Sequence, residues 1–162
     1  MEEFIQWWLT HVPLSPRMSV FIVSMIPLIE ERGGLLLASL LKIPVREALF
    51  WCVLGNCIPV PFILLGIEKL IHWLDKHHFS KTANWIVNKA EKNRSRIDRY
   101  GYWGLTLFVG IPLPGTGAWT GSLGAALFDM DLKKASLHIF FGILLAALIM
   151  TILSYGLLGA II

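Results

Sequence analysis

Two acids and a base stand side by side at Glu30-Glu31-Arg32, between the apolar runs Met18 to Ile29 and Gly33 to Leu41. Charge held in a low-dielectric medium is costly, so residues of this kind are usually paired or functional. Burial and a neighbouring guanidinium act on a carboxylate's titration in opposite senses, which lets one of the two glutamates titrate near neutrality and carry a proton. Adjacent helical residues project about 100° apart, so Glu30 and Glu31 differ in role, and the sequence does not choose between them.

The second candidate is Pro112-Leu-Pro-Gly-Thr-Gly117, in the middle of the uncharged run Tyr100 to Phe128. No lysine follows its glycines, so it is not a phosphate-binding Walker loop, and Gly115 and Gly117 lack the third glycine of a dinucleotide fingerprint. ATP and NAD are disfavoured, and no cofactor is expected. The segment offers unpaired backbone instead. N–H groups near Thr116 to Trp119, at the start of a half-helix, form a partial positive pole for an anion. Gly117, Gly121 and Ala125 also make a small-residue face suited to close packing, which is the alternative use of those glycines. The candidate substrate- and proton-binding set is therefore Glu30, Glu31, Arg32, Gly33 and Gly34 with Pro112, Pro114, Gly115, Thr116 and Gly117.

Other chemistry is weaker. Cys52 and Cys57 are five apart, about 140° round a helix, and read as packing residues rather than a disulfide or zinc pair. His72, Asp75, His77 and His78 lack defined ligand geometry and read as solvated surface, so no metal site is expected. No Ser/His/Asp set is legible, and the chain is not expected to be an enzyme.

The elements that position these residues follow from the hydropathy. Of 162 residues 56% are apolar and 15% charged, where a soluble domain carries about a quarter charged. A chain this short buries too little surface to hide that excess, so the expected solvent is lipid. A bilayer core needs about 20 helical residues, which makes Ala48 to Ile67 and Ala135 to about Gly156 ordinary spans. Met18 to Ile29 is long enough for about 18 Å of helix and stops roughly halfway. Leu35 to Ile43 then resumes beyond a polar break, a pattern that predicts a re-entrant hairpin. A single tilted helix and two short surface helices are the alternatives. The prolines and glycines of 112–117 predict a second broken hairpin.

An internal repeat relates the halves. Ala38-Ser-Leu-Leu-Lys-Ile-Pro-Val-Arg-Glu-Ala48 lies over Ala125-Ala-Leu-Phe-Asp-Met-Asp-Leu-Lys-Lys-Ala135, 87 residues on, and Gly55 falls on Gly142. Ile26-Pro-Leu28 meets Ile111-Pro-Leu113 once two residues are gapped. The expected fold is an all-α integral membrane protein of two inverted repeats, each a re-entrant helical hairpin plus a transmembrane helix. Residues 1–16 form an interfacial N-terminal segment anchored by Trp7 and Trp8, and its acidic start does not read as a cleavable signal. Repeat A covers 17–67, an amphipathic linker 68–99, and repeat B 100–162.

The linker holds eight basic and four acidic residues, and with Lys133 and Lys134 puts ten basic residues on one side against three on the other. The positive-inside rule makes that side cytoplasmic, in the inner (plasma) membrane of a cell. Topology and anionic headgroups account for the basic cluster, so nucleic acid is not an expected partner. Membrane lipids, a small amphiphilic or ionic substrate and a proton are, and a homodimer would help two spans enclose a polar site.

Pro27-Leu-Ile-Glu-Glu-Arg-Gly-Gly34, Arg99-Tyr-Gly-Tyr-Trp-Gly104 and Ile111-Pro-Leu-Pro-Gly-Thr-Gly-Ala-Trp119 together resemble the putative small multidrug export family, over almost the whole chain. The second half also resembles the wider DedA superfamily, in which an Arg-Tyr-Gly approach leads to a proline-containing hairpin. The resemblance implies paired re-entrant hairpins, dependence on the proton gradient, and movement of lipid phosphates or small cations. The DedA hairpin acid carries over to Glu30 or Glu31. The arginines of its second hairpin do not, because Val109, Gly110, Thr116 and Gly117 stand in that neighbourhood. The expected function is a membrane transporter, an exporter of small amphiphilic or ionic substrates coupled to protons. The rival readings are a DedA-like lipid-phosphate flippase and a non-transporting membrane scaffold.

Overall fold

In a computed structural model of the chain, residues 2–77 and 79–157 are described, and every regular element among them is helical. His78, from the histidine-rich stretch, and residues 158–162, from the end of repeat B, lie outside the described residues. After α1 (Glu2–His11), α2 (Pro16–Met25) and α3 (Glu30–Leu40) form a helical hairpin. Next come α4 (Val45–Cys57) and α5 (Pro59–Lys76), joined through Ile58, which keeps helical angles. The polar helix α6 (Ser80–Asp98) leads to a second hairpin, α7 (Gly101–Gly110) and α8 (Ala118–Leu127), and then to α9 (Leu132–Thr151), which runs on as a π-helical segment, Ile152–Leu157.

Two stretches are long and apolar enough to cross a membrane, Val45–Ile67 and Leu132–Gly156. Less than half of an 18-residue apolar window in each is buried, 44% and 33%, and Phe50, Phe62, Leu65, Phe140 and Leu148 point outward. An apolar belt of that extent marks contact with something other than water. Leu70, Ile71, Trp73 and Leu74, at the start of the linker, form the last turns of α5.

The chain's internal correspondence extends to its backbone. α3 and α8 both end in a turn whose C′ residue is left-handed without being glycine, Lys42 (φ 56°) and Asp129 (φ 53°). Both close with the same pair of bonds: Ile43 N–H to Ala38 C=O at 2.9 Å and Lys42 N–H to Ser39 C=O at 3.1 Å, then Met130 N–H to Ala125 C=O at 3.1 Å and Asp129 N–H to Ala126 C=O at 3.4 Å. This is the Schellman pattern, which satisfies carbonyls that a helix end leaves open. At the hairpin tips Leu28 (φ 72°) corresponds to Gly115 (φ 81°), and Glu30 (φ 54°) to Gly117 (φ 139°). By backbone Leu28 thus pairs with Gly115 rather than with Leu113, and the two-residue difference between the halves falls inside the tip, at Leu113 and Pro114.

Two apolar clusters hold the fold. One gathers Val20 of α2, Leu35 and Ala38 of α3, Ala48 and Cys52 of α4, and Ala147 and Met150 from the far end of α9. The other gathers Leu105 and Val109 of α7, Ala118 and Ala125 of α8, Ala135 and Ile139 from the start of α9, and Val60 and Leu64 of α5. The start of each long helix thus packs on the hairpin before it, and its end on the other hairpin, so the two long helices run antiparallel. Gly55 and Gly142 make this approach possible. A Cβ on Gly55 would strike the Phe21 carbonyl of α2, and one on Gly142 would strike Val109 and the Thr106 carbonyl of α7.

Candidate functional site

The break in the first hairpin lies earlier than the charges suggest. It occupies Ile26 to Ile29, where Pro27 supplies no N–H and Leu28 is left-handed, and Glu30, Glu31, Arg32, Gly33 and Gly34 form the start of α3. The charged trio needs no unwound segment around it because two of its members find partners in the other hairpin. The second break, Ile111 to Gly117, stands where the prolines and glycines place it.

Glu30 reaches across to the start of α8. Its carboxylate accepts from the Ala118 N–H at 3.1 Å and the Trp119 N–H at 3.0 Å. The helix start offered by the sequence as a pole for an anion is therefore occupied by a carboxylate of the chain itself. The arrangement is favourable because negative charge meets unsatisfied N–H groups at the positive end of the helix dipole. Gly117 leaves room for it. A Cβ there would run into the Glu30 carboxylate, whereas one on Gly115 would meet open space. Gly115→Ala is thus expected to cost only the left-handed backbone penalty, about 1–2 kcal/mol. Gly117→Ala is expected to cost more, because it also expels Glu30. Thermal unfolding of the two variants in detergent checks the order, and equal losses would show that the Glu30 contact carries no weight.

Arg32 reaches the other side of the same break. Its guanidinium donates to the carbonyls of Val109 (3.0 Å), Leu113 (3.1 Å), Thr116 (3.0 Å) and Ile111 (3.4 Å), and to the Thr116 hydroxyl at 3.2 Å. These carbonyls belong to the last turn of α7 and the turn after it, where helix geometry leaves acceptors open. The planar fork of arginine suits several acceptors at once. The Thr116 hydroxyl also accepts from the Leu113 N–H at 3.3 Å, which ties the turn together from inside. Trp119 occupies the position in α8 that Arg32 occupies in α3, and its indole N–H donates to the Met25 carbonyl at the end of α2, 3.2 Å away. Each hairpin thus caps the broken helix of the other.

Glu31 is the exception. It is 1% exposed, and neither carboxylate oxygen has a hydrogen-bond partner among the described residues. On α4, Asn56 is fully buried with both amide atoms in the same state. Asn56 has no place in the sequence-derived set. A single amide in an apolar run carries no local signal, but the repeat lays it on Ile143, where the other half is apolar. Gly34 serves packing, since a Cβ on it would meet Ser24 and Cys52. Cys52 and Cys57 are both free.

A cleft of about 290 Å³ opens beside the tips. Glu30, Thr116 and Thr120 are among its polar lining residues, and Ile63, Trp85 and Leu123 among its apolar ones. Among the described residues no group of three or more His, Cys, Asp or Glu side chains could hold a metal ion.

No curated protein and no solved structure matches the chain. A family model described as putative small multi-drug export protein matches residues 30–149, a stretch that begins at Glu30 and takes in both latching residues, the whole first long helix and most of the second. The chain belongs to that family.

Proposed function

We propose that the chain is a proton-coupled exporter of small amphiphilic or ionic substrates, working in the plasma membrane as two inverted repeats rather than as a catalyst. Each repeat is a re-entrant hairpin followed by a span, and the tips meet near mid-depth. The antiparallel long helices and the shared 87-residue spacing of their turns support the inversion. Broken helices meeting around a central site are a recurring transporter design.

The observation that carries this reading is the contrast within the charged trio. Glu30 and Arg32 are engaged across the two hairpins, while Glu31 lies buried beside them without a donor. A carboxyl group left unpaired in lipid-embedded protein is costly to retain for structure alone, and of the three it is the one free to exchange a proton. The adjoining cleft, lined mostly by apolar side chains with Glu30, Thr116 and Thr120 among them, suits an amphiphile. Rocking one hairpin against the other would then alternate access to both.

Proteoliposomes loaded with a fluorescent lipophilic cation test this. The wild-type chain is expected to move the dye in response to a pH gradient, and Glu31→Gln to move it no faster than empty vesicles. Dye flux in Glu31→Gln equal to wild type would overturn the assignment of Glu31. Absence of both proton and dye movement in wild type would overturn transport of this class.

A further inference from the structure

We propose that Asn56 is the second half of the Glu31 site, its amide facing the carboxyl across one bridging water and serving both of its charge states. This rests on Glu31 as the proton carrier. The placement follows from how α3 and α4 pack. The two helices are antiparallel, joined by a short turn, and they meet in layers. Ala38 and Ala48, on either side of the turn, are both fully buried in one cluster. Next, Gly34 lies against Cys52, whose sulfur a Cβ on Gly34 would approach to 3.0 Å. One further turn brings Glu31 on α3 and Asn56 on α4 to the same level, by the three- and four-residue steps of helical neighbours.

Both side chains are buried, and all four of their polar atoms lack protein partners among the described residues. An isolated orphan carries a penalty that folded proteins rarely retain. Two orphans in one layer point to a shared occupant, and a water needs two or more polar partners to be held. An amide is well matched to a group that changes charge. Its NH2 donates toward a carboxylate, and its carbonyl accepts from a carboxylic acid. A second carboxylate or a lysine would favour only one of the two states.

The other half of the chain shows that the fold does not require polarity here. The corresponding residues are Ala118 and Ile143, 0% and 1% exposed, and they fill their layer with apolar atoms. The ionisable groups around Glu31 are few. Glu30 and Arg32 flank it on α3 and are engaged with the other hairpin, α4 contributes Cys52 and Cys57, and the π-helical segment contributes Tyr155, whose hydroxyl donates to the Ile43 carbonyl. α2 contributes Ser24, whose hydroxyl is bonded to the Val20 carbonyl, and the buried face of α9 beside Ile143 continues with Ala146 and Ala147.

Infrared difference spectra of the full chain in lipid, taken between two pH values, test the partnership. A carboxylic C=O band that vanishes in Glu31→Gln reports the protonated group. In Asn56→Leu that band is expected at higher frequency, because its hydrogen bond is gone, and in Asn56→Ser, which keeps a hydroxyl, it is expected in between. A band unmoved in Asn56→Leu but lost in Glu31→Gln would overturn the role of Asn56 and leave Glu31 as carrier. Absence of any band that depends on Glu31 would overturn both. Should Asn56→Leu fail to fold, Asn56→Ser decides, and an unmoved band there overturns the proposal.

Discussion

Arg32→Leu is expected to unlatch the two hairpins and to lower stability by about 3 kcal/mol, because a half-buried cation is removed and each carbonyl left without its donor costs about 1–3 kcal/mol where it is buried. The loss has two parts. Carbonyls of Val109, Ile111, Leu113 and Thr116 lose a shared donor at the broken end of α7, and Glu30 and Glu31 lose the cation beside them. Neither part can be recovered from solvent if the tips lie in lipid, where each open backbone group costs several kcal/mol. Arg32→Lys is expected to recover only a fraction. It keeps the charge, but a compact ammonium with three donors cannot span acceptors spread over two turns. Unfolding curves in detergent, followed by helix content, would show a midpoint fall of roughly 10 °C for Arg32→Leu by the usual scaling for a chain of this size. A midpoint within a degree or two of wild type would mean that the hairpins are held by their apolar faces alone.

How far this latch could be read in advance depends on how local its causes are. The second break was legible to the residue, because two prolines and two glycines in 112–117 leave a helix few ways to continue. The first break was misplaced by several residues. Leu28 and Glu30 adopt left-handed backbone that neither residue type advertises, and the charges of 30–32 looked like the interruption when they are the beginning of the next helix. What makes them tolerable there lies 77 to 89 positions away in the chain, at Val109 through Trp119. No window of sequence contains both sides. At the start of α8 the N–H groups of Ala118 and Trp119 are taken by Glu30, a partner that no stretch of sequence around them reveals. Asn56 was the recoverable omission. Once Gly55 is laid on Gly142, the next pair sets an amide against isoleucine in an otherwise matching apolar layer, and that mismatch is visible without coordinates.

The same mismatch leads to the second large effect. A chain carrying Glu31→Met together with Asn56→Leu is expected to be more stable than wild type and inert in proton-coupled transport. Both replacements are close to isosteric, so they open little cavity and force little repacking. They remove four polar atoms that are buried without protein partners, and each unsatisfied group of that kind costs about 1–3 kcal/mol. The water proposed between the two side chains would offset part of that cost in wild type, which places the expected gain at the lower end, about 1–3 kcal/mol in all. Glu31→Met alone should gain less than the pair, because it leaves the Asn56 amide facing a thioether. The departure from additivity measures the coupling of two residues that share a layer. Stability and transport are thereby expected to move in opposite directions, which is the pattern of a polar group retained for what it does. A double variant that melts below wild type would show instead that the buried carboxyl and amide serve the fold, and the proton would have to travel by another route.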